Sequence, residues 1–188
     1  MVQTLVVIVG HPEAGSLNHA AAEALVVAGV SKGLEVQVLR AYDFPFLPND
    51  PSKHGFPEEY EKAVQCIEQA TYLAAVTPMW NLSITNGLKN FIDGVMQPRR
   101  LFQYNKKGNP EGLLKTKKML IVWTSGGPIW VYKIVFGNPV YKQIKAVFKF
   151  CGVKAFDQKA LGKVLGKDSP EEKARVSNFI KELETYKF

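Results

Sequence analysis

Leu5-Val6-Val7-Ile8-Val9 is a continuously apolar, mostly β-branched run stopped by Gly10. A segment so short and so apolar has no face to give to water. It belongs in a strand covered on both sides, as in a parallel sheet with helices above and below. Tyr72-Leu73-Ala74-Ala75-Val76 and Met119-Leu120-Ile121-Val122-Trp123 repeat the pattern. Leu34–Leu39 alternates in polarity, which predicts an edge strand. Val153–Leu161, more polar, reads as the fifth strand.

Helical periodicity fills the intervals. Leu17, Ala21, Ala24, Leu25 and Ala28 form one apolar stripe, with Gly29 and Gly33 as stop signals. Tyr60, Ala63, Val64 and Ile67 form a second. Ile84, Leu88, Phe91, Ile92 and Val95 form a third, and Val140, Ile144, Val147, Phe148 and Cys151 a fourth. Ser169-Pro170-Glu171-Glu172 is a helix start with serine as cap and proline in the first turn, leading to Val176, Phe179, Ile180 and Leu183. Leu101–Tyr104 with the turn Asn105–Pro110 predicts a small hairpin excursion. Strand and helix alternate five times, which calls for an α/β three-layer sandwich. Right-handed crossovers make the order 2-1-3-4-5 the simplest parallel sheet for five such strands. No repeat or linker interrupts the pattern, so residues 1–188 are expected to form a single domain.

Composition closes off other classes. With 46% hydrophobic and 22% charged residues, the chain is neither disordered nor fibrous. Its apolar runs fall short of the roughly 18 residues of a membrane span. The first residues lack the basic region and cleavage site of a signal peptide, so a cytoplasmic protein is expected. Cys66 and Cys151 are the only cysteines, which excludes a disulfide scaffold and a CxxC metal or redox motif. Charge is uneven: residues 1–98 carry 5 Lys/Arg against 10 Asp/Glu, residues 99–188 carry 19 against 7. A basic half can steer an anionic partner, yet Lys106-Lys107 and Lys117-Lys118 are pairs, too short for a nucleic-acid patch. No nucleic-acid motif is present, so a solvated lysine-rich surface is the favoured reading of the excess and a basic nucleic-acid-binding module the distant alternative.

In open α/β sheets, ligands bind beyond the carboxyl ends of the strands where the strand order reverses. With order 2-1-3-4-5, three loops meet there. Gly10-His11-Pro12-Glu13-Ala14-Gly15-Ser16-Leu17-Asn18 runs into a helix, whose unpaired N–H groups and positive end suit a phosphate. It matches neither GxGxxG nor a P-loop. Thr77-Pro78-Met79-Trp80-Asn81-Leu82 offers an aromatic ring, a thioether and an amide, suited to a flat heteroaromatic ring with polar edges. Thr124-Ser125-Gly126-Gly127-Pro128 offers consecutive glycine N–H groups, an anion-accepting nest. Each loop also has an ordinary structural reading: Ser16 as a plain cap, Met79 and Trp80 as core packing, the glycines as a turn, His11 as a hydrogen-bonded structural histidine.

Together these residues resemble the flavodoxin-like quinone reductases and FMN-dependent azoreductases over nearly the whole chain. Further landmarks are Leu88-Lys89-Asn90-Phe91-Ile92-Asp93, Phe102-Gln103-Tyr104 and Gly108-Asn109-Pro110-Glu111-Gly112-Leu113. The resemblance implies a flavin, FMN by preference with FAD as the alternative, whose phosphate sits on Ser16, Leu17 and Asn18. Its ring edge would lie against Pro78, Met79, Trp80, Asn81 and Leu82 and against Thr124, Ser125, Gly126 and Gly127, with His11 beside it. It further implies NADH or NADPH as electron donor, quinones or azo compounds as acceptors in a ping-pong cycle, and a homodimer whose partner completes each pocket. Tyr132 stands where the mammalian-type quinone reductases carry an active-site tyrosine. The histidine six residues beyond it in those enzymes is Asn138 here, and the arginine that azoreductases often carry in the third loop is missing. The alternative is a non-catalytic flavin protein, a redox sensor or regulatory subunit.

Overall fold

A computed structural model describes residues 2–167 and 169–188. β1 (Thr4–Val9) is flanked by β2 (Glu35–Arg40) and β3 (Tyr72–Pro78). β6 (Lys118–Thr124) and β7 (Ala155–Leu161) extend the sheet beyond β3. The order β2-β1-β3-β6-β7 is the expected 2-1-3-4-5 once the two short strands of a side hairpin are set apart, and every pair is parallel. That hairpin pairs β4 (Phe102–Tyr104) with β5 (Pro110–Gly112), and its turn is held by the Asn105 side chain, which accepts from the N–H groups of Lys107 and Asn109.

α1 (Leu17–Ser31) and α7 (Pro170–Glu184) cover one face of the sheet. α3 (Glu61–Gln69), α4 (Asn86–Val95) and α6 (Pro139–Phe150) cover the other. Side chains alternate along β1 because successive Cβ atoms point to opposite faces. Leu5, Val7 and Val9 therefore join the core under α1 and α7, and Val6 and Ile8 join the opposite core. At Gly29 a Cβ would come within 2.7 Å of Val36, so glycine lets α1 lie close on β2. Gly33, at φ +72°, then turns the chain into that strand.

Local structure departs from the sequence expectations at a few boundaries. The fifth strand starts at Ala155, since Gly152 and Val153 serve in the turn after α6, Val153 donating its N–H to the Phe148 carbonyl. The third apolar stripe becomes helical only at Asn86, where Thr85 caps α4 through Leu88 N–H and donates its hydroxyl to the Gly10 carbonyl. Two short helices, α2 (Pro51–His54) and α5 (Ile129–Ile134), lie in stretches to which the sequence pattern assigns no element. Arg100 ties the approach to β4 onto α3, gripping Glu68 at 2.6 and 2.7 Å and Glu61 at 3.0 Å.

Candidate functional site

The carboxyl ends of β1, β3 and β6 open into a cleft of about 300 Å³ lined by His11, Ser16, Leu17, Asn18, Pro78, Met79, Trp80, Thr124, Ser125, Gly126 and Val164. Its floor is set by α1. Ser16 is extended (φ −75°, ψ 158°), and its hydroxyl accepts from the His19 N–H at the start of the helix. The first turn of α1 carries no acidic residue, and the N–H groups of Leu17 and Asn18 find no acceptor among the described residues. Such orphan donors at the positive end of a 15-residue helix favour an anion.

The Asn18 side chain is turned away from this role. It is 4% exposed and bonds Thr124, its amide donating at 3.2 Å, which fastens α1 to the end of β6. Thr124 in turn accepts the Met79 N–H through its carbonyl, so all three loops are linked. Ser125 spends its hydroxyl on the Gly127 carbonyl, and its own N–H goes to Leu161. The N–H groups of Gly126 and Gly127 have no acceptor among the described residues, and a Cβ on Gly126 would meet nothing closer than 3.8 Å. The backbone there faces open space.

The second loop makes a flat wall. Trp80 exchanges both backbone hydrogen bonds with Ser83, closing a tight turn in which Asn81 and Leu82 take left-handed conformations (φ 48° and 62°). This presents the Trp80 ring, 42% exposed, with His11 edge-on at 6.0 Å. His11 itself is fixed by the Glu13 N–H on its Nδ1.

Ten of the expected residues line the cleft together. Asn81 and Leu82 form the turn behind Trp80, and Gly127 continues the third loop against Tyr132. The Tyr132 ring packs edge-on against Trp123 at 6.3 Å, its hydroxyl so close to Gly127 that a Cβ there would come within 2.4 Å of it. Tyr132 is thus against the glycine loop and outside the cleft lining. Asn138, the residue in the histidine position, is left-handed (φ 60°) and donates its side chain to Gln158, which also accepts from the Trp123 indole. Val164 was missed from sequence. It follows β7 and reaches the cleft because its N–H bonds the Ser125 carbonyl; the signal was the strand order itself, which brings the loop after the fifth strand beside the third loop.

The helix N-terminus, the glycine loop and the aromatic wall thus meet at the switch point of a doubly wound 2-1-3-4-5 sheet, the place where open α/β sheets bind ligands. The sequence matches the flavodoxin-like fold family over residues 3–185, and the chain belongs to that family. It is 36% identical over 93 residues to the FMN-dependent NADH:quinone oxidoreductase of Haemophilus influenzae (strain PittEE), covering 50% of this chain and 45% of that one. It is 31% identical over 142 residues to the FMN-dependent NADH:quinone oxidoreductase of Pseudomonas savastanoi pv. phaseolicola, covering 73% of this chain and 60% of that one. The chain thus spans about half the length of the curated relatives it matches. An FMN-dependent NADH-azoreductase from Bacillus anthracis solved in complex with FMN shares the fold, with a TM-score of 0.74, 22% identity, and 97% of this chain and 96% of that one covered.

Proposed function

We propose that the protein is an FMN-dependent NAD(P)H oxidoreductase that reduces quinones, azo compounds or similar flat acceptors. The observation that carries this reading is the coincidence in one cleft of orphan helix N–H donors, an exposed tryptophan face and a free glycine backbone. The donor set fits the group: a phosphate meets Ser16, Leu17 and Asn18 at the helix end, a planar ring meets Trp80, and polar ring edges meet Gly126 and Gly127. Bound there, FMN supplies two-electron transfer from reduced nicotinamide to the acceptor in alternating half-reactions.

The protein's part is positioning and electrostatics. Leu17 and Asn18 hold an anion without a positively charged side chain. The N–H groups of Gly126 and Gly127 are preorganised donors for negative charge developing at a ring edge, at no cost in reorganisation. Trp80 and Met79 keep one side of the cleft apolar and exclude water. Tyr132 is assigned the hydrogen-bond donor to the acceptor, reached across the Gly127 edge.

We further propose a homodimer. Trp130 and Ile134 on α5, with Val135 and Phe136 directly after it, stay exposed together, an apolar stretch of the kind that marks an interface. The reading also places the protein in the reducing cell interior, consistent with the free thiols of Cys66 and Cys151.

The test is anaerobic spectroscopy of the FMN-loaded protein. Visible flavin bands should bleach on adding NADH or NADPH and return on adding a quinone. Bands that persist after both nucleotides would refute a reductase. Tyr132→Phe should lower kcat for quinone while leaving the rate of bleaching unchanged, and unchanged turnover with every acceptor would remove Tyr132 from the site.

A further inference from the structure

The residue directly behind the anion site is His19. It is 6% exposed, and its Nδ1 lies 3.1 Å from the Ser16 hydroxyl oxygen. Ser16 lines the cleft; His19 lines a separate solvent-open pocket of about 390 Å³ together with Val9, Ala22, Glu23, Val26, Val38, Arg40 and Asp43. The imidazole therefore touches the anion site on one side and water on the other. Groups facing it come from every neighbouring element: Glu23 from α1, Arg40 and Asp43 from β2 and the turn after it, His11 at 6.4 Å between ring centroids and the Glu13 backbone from the first loop.

Ser16 has one hydroxyl proton, and the state of His19 decides where it goes. When Nδ1 is unprotonated, the ring accepts that proton in a hydrogen bond, and Ser16 has nothing to give an anion. When Nδ1 carries a proton, as in the neutral Nδ1–H tautomer or in the imidazolium, it donates to the Ser16 oxygen, and the hydroxyl proton is free to point into the cleft. An anion at the helix end favours a protonated Nδ1 by claiming the hydroxyl proton, and its charge favours the imidazolium over the neutral tautomer.

We propose that His19 is a positioning residue for the cofactor phosphate, taking up a proton from water as the phosphate binds and thereby turning the Ser16 hydroxyl toward it. This rests on the flavin reading above. Burial is the largest influence, followed by Arg40 and His11, with Glu23 and the Glu13 backbone opposing; the balance keeps the ring below its ordinary range, so it enters the binding step neutral at pH 7 and above. A merely structural His19 would hold Ser16 equally at every pH.

The experiment is isothermal titration with FMN and with riboflavin, which lacks the phosphate, at pH 7.5 in two buffers of different ionisation enthalpy. At that pH the FMN phosphate has passed its own second pKa near about 6, so it contributes little proton exchange. FMN should bind with net proton uptake and riboflavin with none. FMN affinity should fall by up to about tenfold from pH 7 to 8.5, the change that a shift of one pKa unit allows. His19→Asn keeps an amide donor beside Ser16 and should bind FMN with no uptake and a flat pH profile. FMN binding without uptake, or uptake that survives in His19→Asn, overturns the proposal and leaves the flavin reading intact. No FMN binding by the wild type overturns both.

Discussion

α1 seats on its face of the sheet mainly through small side chains, while α4 and α6 bring rings to the opposite face, joined by Tyr60 just before α3. Under α1 the buried contacts include Ala21, Ala22 and Ala24, with Gly29 lying on Val36 and Leu5. The opposite core is built around Tyr60, Phe91, Trp123 and Phe148. Small residues bring a helix axis close to the sheet, where position is fixed at the scale of backbone atoms. Large rings fill volume and hold layers farther apart. The helix end that lines the cleft belongs to the closely seated helix, and the Asn18–Thr124 bond pins it to β6. The aromatic face supplies most of the buried bulk, and with it α4, whose Thr85 cap holds the Gly10 carbonyl at the start of the first loop. One face thus sets geometry and the other supplies stability.

The largest expected effect lies on the aromatic face. Phe91→Ala removes a fully buried ring and should cost about 3–5 kcal/mol in urea unfolding, while the folded fraction still binds FMN with near wild-type affinity. A loss of affinity beyond the loss of folded protein would blur the division between the faces. Ala21→Leu should cost less, about 1–3 kcal/mol from overpacking, yet weaken FMN binding clearly because α1 is lifted from the sheet. An affinity that stays unchanged in that variant would show that α1 need not sit so close.

Ser16→Ala removes the cap of α1 and should cost about 1 kcal/mol of stability. FMN affinity should fall about tenfold, the loss of one hydrogen bond to a charged group, and riboflavin affinity should hold. The smallest effect is on pH. Burial, Arg40 and His11 hold His19 below its free value, so unfolding takes up a proton at mildly acidic pH. The His19 contribution is whole above about pH 6.5 and is lost as pH falls from there through the lowered folded value. Denaturant midpoints of wild type and His19→Asn should therefore converge on acidification from pH 7 to 5, and a constant gap would contradict the assignment.

The sheet was legible because its buried strands are short, nearly pure apolar runs rich in β-branched residues, and their length argues for strand over buried helix. The meeting of three loops followed from topology alone. What escaped the sequence was set by long-range contacts. Asn18 looks like a phosphate donor until Thr124, 106 residues away, claims its amide. Val164 has no feature of its own and enters the cleft through a backbone bond to Ser125. α5 went unread because Trp130, Ile134, Val135 and Phe136 stay exposed, leaving no single apolar stripe to announce a helix. The pairing of Ser16 with His19 was hidden within an ordinary cap motif, since i, i+3 neighbours at a helix start meet in many proteins.

The most direct test of the central claim, that this cleft holds a flavin by its phosphate, is a comparison of FMN and riboflavin affinities for the wild-type protein at pH 7. The account predicts one FMN per chain, bound at least about tenfold more tightly than riboflavin, as expected for a phosphate held by several charge-assisted hydrogen bonds. Equal affinities, or no binding of either, would contradict it.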